Sequence, residues 1–242
     1  MKKRESARLR LFPLSSVLFP GATLNVHVFE PRYKRMVSEC LELQEVFGVA
    51  LIAEGEKAGD PDVVPYKIGT TAEISDITPL GGGRFYVATT GRRRFHIDEV
   101  TDHEPYMLAK VTYLEEDKVR DPHALLQLTD KIRGIFAEYL RLLMDFSGVH
   151  VEIKLPGDPV EASFIVADIL QVADTMKQRL LEMSDTEKRL TIEWEFLRRL
   201  LPQLRGLLER RKDIPALRAG EPLRKSIRSD QERFFGKYFS LN

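Results

Sequence analysis

LFPLSSVLFPGATLNVHVFEPRYKRMV, residues Leu11 to Val37, reads as strand, turn, strand and then helix. Val26 and Val28 suit a half-buried strand, and Pro20-Gly21 suits the turn before it. Glu30-Pro31 suits a helix entry, because proline at the first helical position gives up no hydrogen bond the helix needs. Behind that entry Tyr33, Met36, Val37, Cys40 and Leu41 recur at helical spacing, so one face of the helix is predicted to be core.

Outward from this run the chain favours strands as far as Glu115. Candidate strands are Leu9 to Leu14, Asn25 to Phe29, Phe47 to Ala53, Gly69 to Pro79, Arg84 to Thr90, Arg93 to Val100 and Tyr106 to Leu114. Gly55 to Val64 is polar and turn-rich and reads as a surface loop. Gly81-Gly82-Gly83 joins two strand-like runs and has the chemistry of a hairpin turn needing positive φ. It is not a phosphate loop, since no GxxxxGK[ST] occurs and no helix follows it. Short hairpins with one inserted helix predict a curled sheet or small barrel, which limits exposed edges.

After Glu116 the character turns helical. Asp121-Pro122 and Asp158-Pro159 each place an N-cap before a proline at the first helical position. Leu125, Leu128, Ile132, Ile135, Phe136, Tyr139 and Leu143 keep a helical stripe behind the first of them. Ser184 and Glu187 read as a capping box ahead of a long helix. In that helix Leu190, Trp194, Leu197, Leu201, Leu204 and Leu208 form a heptad seam, which Ile192, Phe196, Leu200 and Leu207 widen. So wide a face predicts packing in a bundle within the chain, with a bend at Pro202. The aromatic tail Ser229 to Phe239 is expected to dock back on the protein rather than stay exposed.

Composition excludes several classes of function. With 37 Lys plus Arg against 37 Asp plus Glu among 242 residues, the formal net charge is zero, so no global pull toward nucleic acid or anionic membrane is indicated. One cysteine, Cys40, excludes an internal disulfide and a cysteine-rich metal site. No apolar run reaches membrane-spanning length and the basic start lacks a signal-peptide core, so a cytoplasmic location is expected. His27, His96, His103, His123 and His150 lack ligand spacing, and Ser15 and Ser16 lack a nucleophile's context. No catalytic residue, metal site or cofactor is predicted. Arg92-Arg93-Arg94 before Phe95 is the sharpest anion-binding candidate, but strand alternation would put Arg93 on the opposite face from Arg92 and Arg94.

Phe12-Pro13-Leu14, Leu18-Phe19-Pro20-Gly21, Leu24 and Val28-Phe29-Glu30-Pro31-Arg32-Tyr33 together resemble the opening of the Lon protease N-terminal substrate-binding domain, a family that includes stand-alone bacterial proteins. Ile68 to Ile74, Gly91 to Phe95, Pro159 to Ser163, Val166 to Leu170, Lys177 to Glu182 and Asp185 to Leu190 extend the resemblance in the same order to about Leu201. Asn25 departs from it, standing where members usually carry proline.

The resemblance implies an α+β fold: a PUA-like β pseudobarrel with one inserted helix over residues 8–116, then a helical bundle with a long terminal helix over 121–242. It also implies a non-enzymatic module that captures exposed or unfolded polypeptide, without the ATPase and protease domains of Lon, for a separate protease or chaperone. The groove between barrel and helices is where a polypeptide would lie, and Phe29, Arg32, Tyr33 and Arg92 are the candidate contacts. The alternative is an RNA-binding PUA-like protein, because such barrels bind RNA in other families.

Overall fold

A computed structural model describes residues 5–55, 63–82, 84–148 and 152–212. The chain runs β1 (Ser6–Leu14), β2 (Thr23–Val28), α1 (Pro31–Leu43), β3 (Phe47–Glu54), β4 (Val64–Pro65), β5 (Ile68–Leu80), β6 (Arg84–Asp102) and β7 (Met107–Tyr113). Four helices follow: α2 (Pro122–Ser147), α3 (Pro159–Ile169), α4 (Asp174–Glu182) and α5 (Thr186–Lys212). The fold is α+β, with strands first and helices second. Among the described residues no helix is long and apolar enough to cross a membrane.

The sheet order is β1-β7-β6-β5-β3-β4, and β1 also pairs in parallel with β3, Leu11 opposite Gly48 through Leu14 opposite Leu51. Five strands therefore close into a ring, filled by Leu9, Leu11, Phe95, Ile97, Ala109 and Val111. β2 pairs with the first half of β6, outside the ring. That half of β6 also pairs with the end of β5, so β2, β6 and β5 make a three-stranded flap. Val26, Val28 and Val87 on its inner face pack against Tyr33, Met36, Val37 and Cys40 of α1. Leu41, expected on that buried face, is 46% exposed: the helix ends two residues later, beyond the reach of the flap.

β6 differs from its sequence reading, which placed two strands with a gap at Gly91-Arg92. It is one strand of 19 residues carrying a bulge there: Ala72 faces Gly91 and Thr70 faces Arg94, so Arg92 and Arg93 together oppose Thr71. The Arg93 amide donates to Thr71 Oγ1 at 3.0 Å, closing the bulge. Gly91 is required at this bend, since a Cβ would lie 2.2 Å from the carbonyl oxygen of Phe19.

The helices share one apolar core that also takes in Val17, Phe19 and Leu51 from the β half. Asp121 Oδ1 caps α2, accepting from the amides of His123 and Ala124, and Asp158 Oδ1 caps α3, accepting from the Glu161 amide at 2.9 Å. At α5 the cap is Asp185, whose Oδ1 accepts from the Lys188 amide at 3.1 Å, and not the predicted Ser184. Ser184 Oγ instead accepts from the guanidinium of Arg94. Leu190, Leu197, Leu201 and Leu204 of the predicted seam are buried, and α5 is helical throughout, Pro202 included. Trp194 is half-buried under the Arg198 guanidinium, while Glu193 beside it is fully buried. The predicted docking of the aromatic tail at 229–239 and most of the loop reading at 55–64 lie outside the described residues.

Candidate functional site

Two places gather chemistry: the corner where β2 passes into α1, and the junction between β6 and the helices. At the corner β2 ends in Val28, which points inward, so alternation turns Phe29 outward; it is 55% exposed. His27 is outward as well, and its ring lies 5.4 Å from Phe29 and 5.2 Å from Tyr86, the residue opposite it on β6. An aromatic trio thus lies on the outer face of the flap.

Glu30 is the N-cap residue of α1, but its side chain makes no cap bond. It accepts instead from Arg32, Nε at 3.0 Å and Nη2 at 2.7 Å, in the residues that directly follow Phe29 in the chain. The Arg32 guanidinium sits 4.8 Å above the ring of Tyr33. Tyr33 itself is 5% exposed and stacks on Phe12 at 4.1 Å. Burial pushes its phenol above its ordinary pKa. Tyr33 therefore lies beneath Arg32 and presents almost no surface of its own.

Arg92 stands at the far end of the same strand pair. Phe85 faces Val28, and Arg92 follows seven residues later, on the order of 20 Å along the strand. The structure brings Phe29, Arg32 and Tyr33 together and leaves Arg92 apart from them. The bulge also undoes the predicted alternation of the arginines. Arg92 and Arg93 both face solvent, where Arg92 bonds Glu73 and Arg93 holds Glu5 at 2.9 Å with its guanidinium 3.9 Å above Tyr113. Arg94 is 3% exposed. Every arginine of the triplet is bonded to a carboxylate, which leaves no row of free cations for phosphates.

Arg92 to Arg94 line one wall of a groove of about 530 Å³ between β6 and α3, with Pro20, Glu116 and Phe164 among its other lining residues. Behind the groove lies a cluster that sequence reading missed. Arg94 donates to the carbonyls of Leu181 (2.6 Å) and Met183 (2.9 Å) and to Glu116. Arg189 of α5 is fully buried and reaches Glu116 Oε2 at 3.2 Å from both Nη1 and Nη2. Glu116, from the link between the halves, is therefore held by a guanidinium of each half. Phe164 lies between the two, 5.5 Å from Arg94 and 4.0 Å from Arg189. Arg189 Nε donates to Ser163 Oγ, which donates to Glu193 Oε1, both at 2.7 Å. The other Glu193 oxygen is buried with no partner among the described residues, and burial pushes this carboxyl well above its ordinary pKa.

A second groove of about 640 Å³ lies between residues 117–120 and the first turns of α5, lined by charges of both signs. Among the described residues no group of three His, Cys, Asp or Glu side chains could hold a metal ion. Cys40 is buried, which pushes its thiol up to about 11 and leaves it unsuited to act as a nucleophile.

Comparison with known proteins gives this architecture a context. The sequence profile of the ATP-dependent protease La (LON) substrate-binding domain matches residues 8–199. A Lon protease of Syntrophomonas wolfei is 27% identical over 240 residues, which cover 94% of this chain and 27% of that protein. A Lon protease of Anaeromyxobacter dehalogenans is 25% identical over 197 residues, 80% of this chain and 23% of that protein. The chain thus spans about a quarter of the length of these relatives. Among solved structures it resembles a Lon N-terminal domain protein from Xanthomonas campestris, with 28% identity and a TM-score of 0.57 over 76% of this chain and 95% of that one. The N-terminal domain of a Mycobacterium avium complex Lon protease gives a TM-score of 0.59 at 15% identity, over 79% of this chain and 98% of that one, a likeness of fold.

Proposed function

This chain belongs to the family of ATP-dependent protease La (LON) substrate-binding domains, and from that premise we propose that it is a recognition module for exposed or unfolded polypeptide that performs no chemistry of its own. The observation that carries this reading is the match of residues 8–199 to the substrate-binding part of the relatives, in a sequence without a GxxxxGK[ST] loop. The exposed apolar corner supports it, because large apolar side chains ringed by paired charges are what a polypeptide with its own apolar anchors requires. Phe29 is the anchor in this reading, Arg32 its polar rim, Tyr33 the support of Arg32, and Arg92 a separate contact at the mouth of the groove. The β half, residues 8–116, is read as a PUA-like pseudobarrel and the stretch 121–242, of which residues 213–242 lie outside the described residues, as the helical subdomain. The setting proposed is the cytoplasm, with a separate protease or chaperone receiving the bound polypeptide.

The test is a binding measurement with a reduced, carboxymethylated α-lactalbumin, which cannot fold, set against a single-stranded RNA of mixed sequence. Binding of the unfolded protein that survives from low to physiological salt supports the reading. Binding of RNA alone, falling steeply with salt, overturns it, because that slope reports contacts to several phosphates.

A further inference from the structure

The flap has two free edges, and they are built differently. Along β5 the stretch beyond Ala72 pairs with β6 on one side, while its pairing with β3 ends at Ala72. Its other edge is blunted by Pro79, which has no amide to donate, and by a bulge between Ile74 and Asp76. β2, with the sequence TLNVHV, carries no proline, no lysine and no bulge against its partner. Natural edges without such devices pair readily with another strand.

Register fixes which backbone groups β2 leaves open. The Gly91 amide donates to the Ala22 carbonyl at 2.9 Å, so residue 22 is bonded to β6, and by antiparallel alternation so are Leu24, Val26 and Val28. The amides and carbonyls of Thr23, Asn25 and His27 therefore point away from β6. All three residues are exposed, and none of these groups has a hydrogen-bond partner among the described residues. The three outward donors and three outward acceptors repeat every second residue, the spacing of an extended backbone. On the outer face beside them sit His27, Phe29 and Tyr86.

We infer that β2 is the seat of the polypeptide: an extended segment of about six residues adds to the sheet as a new strand along Thr23, Asn25 and His27. The inference rests on the polypeptide-binding reading above and gives it a mode. Backbone pairing supplies affinity without regard to sequence, and the aromatic trio selects an apolar or aromatic side chain at one outward position. No Asp, Glu, Lys or Arg lies within the six residues of β2, so the segment that fits is itself free of these charges.

Labelled, reduced and carboxymethylated α-lactalbumin is the probe, and Asn25→Pro is the variant. Proline at 25 deletes one outward amide and leaves the bonds to β6 in place, since Asn25 is not one of the residues bonded there. Binding should weaken about tenfold, the effect of losing one hydrogen bond and the fit of its neighbours. A second measurement needs no variant: hydrogen exchange of the Thr23, Asn25 and His27 amides in the wild-type chain should slow when the probe is bound. Equal binding by both chains, with no protection at these amides, overturns the edge mode and leaves polypeptide recognition standing. Failure of the wild-type chain to bind the probe overturns both. Protection of the same amides in the protein alone, with doubling of its mass in sedimentation, would make a second copy the occupant and overturn the assignment to polypeptide.

Discussion

The two halves of this molecule treat charge in opposite ways. In the β half, Arg94 at the junction apart, the charged groups stay at the surface: Arg10 lies between Glu39 and Glu45, with Nη1 at 2.5 Å from Glu45, and Tyr106 donates its hydroxyl to Glu39. Hydrogen bonds to Glu39 from Tyr106 foremost, then from Arg35 at 2.8 Å and from Arg10, lower its carboxyl to about 2. At the junction with the helices the charges go inside, and Arg189 and Glu193 are both fully buried. The difference follows from what each half must bury. The β ring closes on its own apolar side chains, so its polar groups can remain in water. The helical half must be fixed to a neighbour of different geometry, and Arg94, Glu116 and Arg189 provide directional contacts where apolar packing alone would permit sliding.

Arg189→Ala should be the most damaging change, because it takes from Glu116 one of its two buried guanidiniums and from Glu193 the buried cation linked to it through Ser163; a loss of about 3–5 kcal/mol is expected in urea unfolding. A loss under about 1 kcal/mol would break the comparison, since that is the value of an exposed pair. Gly91→Ala tests the bend that carries Arg94 inward: the new methyl would meet a backbone carbonyl, and about 1–3 kcal/mol should be lost in the same measurement.

The two displaced carboxyls should give pH dependences of opposite sign. Glu193 binds its proton more tightly folded than unfolded, so its contribution is present below the ordinary glutamate range and is lost as pH rises above it. Glu193→Gln should therefore raise the thermal midpoint at neutral pH and flatten its decline on going from acid to neutral. Glu39 is depressed, so its contribution is present above the ordinary range and is lost as pH falls toward about 2; Glu39→Gln should remove part of the acid lability. The smallest effect is expected at the corner: Phe29→Ala should alter stability by less than about 0.5 kcal/mol, as for other exposed sites, while weakening capture of the unfolded probe. A large stability loss there would mean that Phe29 serves the fold.

Much of the fold was legible because its signals are local. The prolines at 31, 122 and 159 marked three helix starts, and the stripe Tyr33, Met36, Val37 and Cys40 marked the face that α1 buries. Legibility failed where distant segments decide. His27 meets Tyr86 through a pairing of strands 59 positions apart, and no short-range pattern in either strand announces it. Arg189 and Glu193 are spaced as a surface ion pair would be on any helix, so their burial was hidden by the very spacing that usually means solvent. Ser184 has the right offset for a capping box, yet the buried Arg94 takes its oxygen and Asp185 caps instead. Strict alternation puts Arg93 on the opposite face from Arg92 and Arg94, and a single extra residue in β6 changes that arrangement.

By itself the sequence determined the order of strands and helices, the apolar faces and the family resemblance, because these depend on periodicity, caps and turn chemistry within a few residues. The tertiary structure alone decided which arginine is buried, which aromatic residues stand together, and which edge of the flap is left unpaired. Each of these depends on register between segments far apart in the chain, and register is set by the balance of packing and hydrogen bonding across the whole sheet.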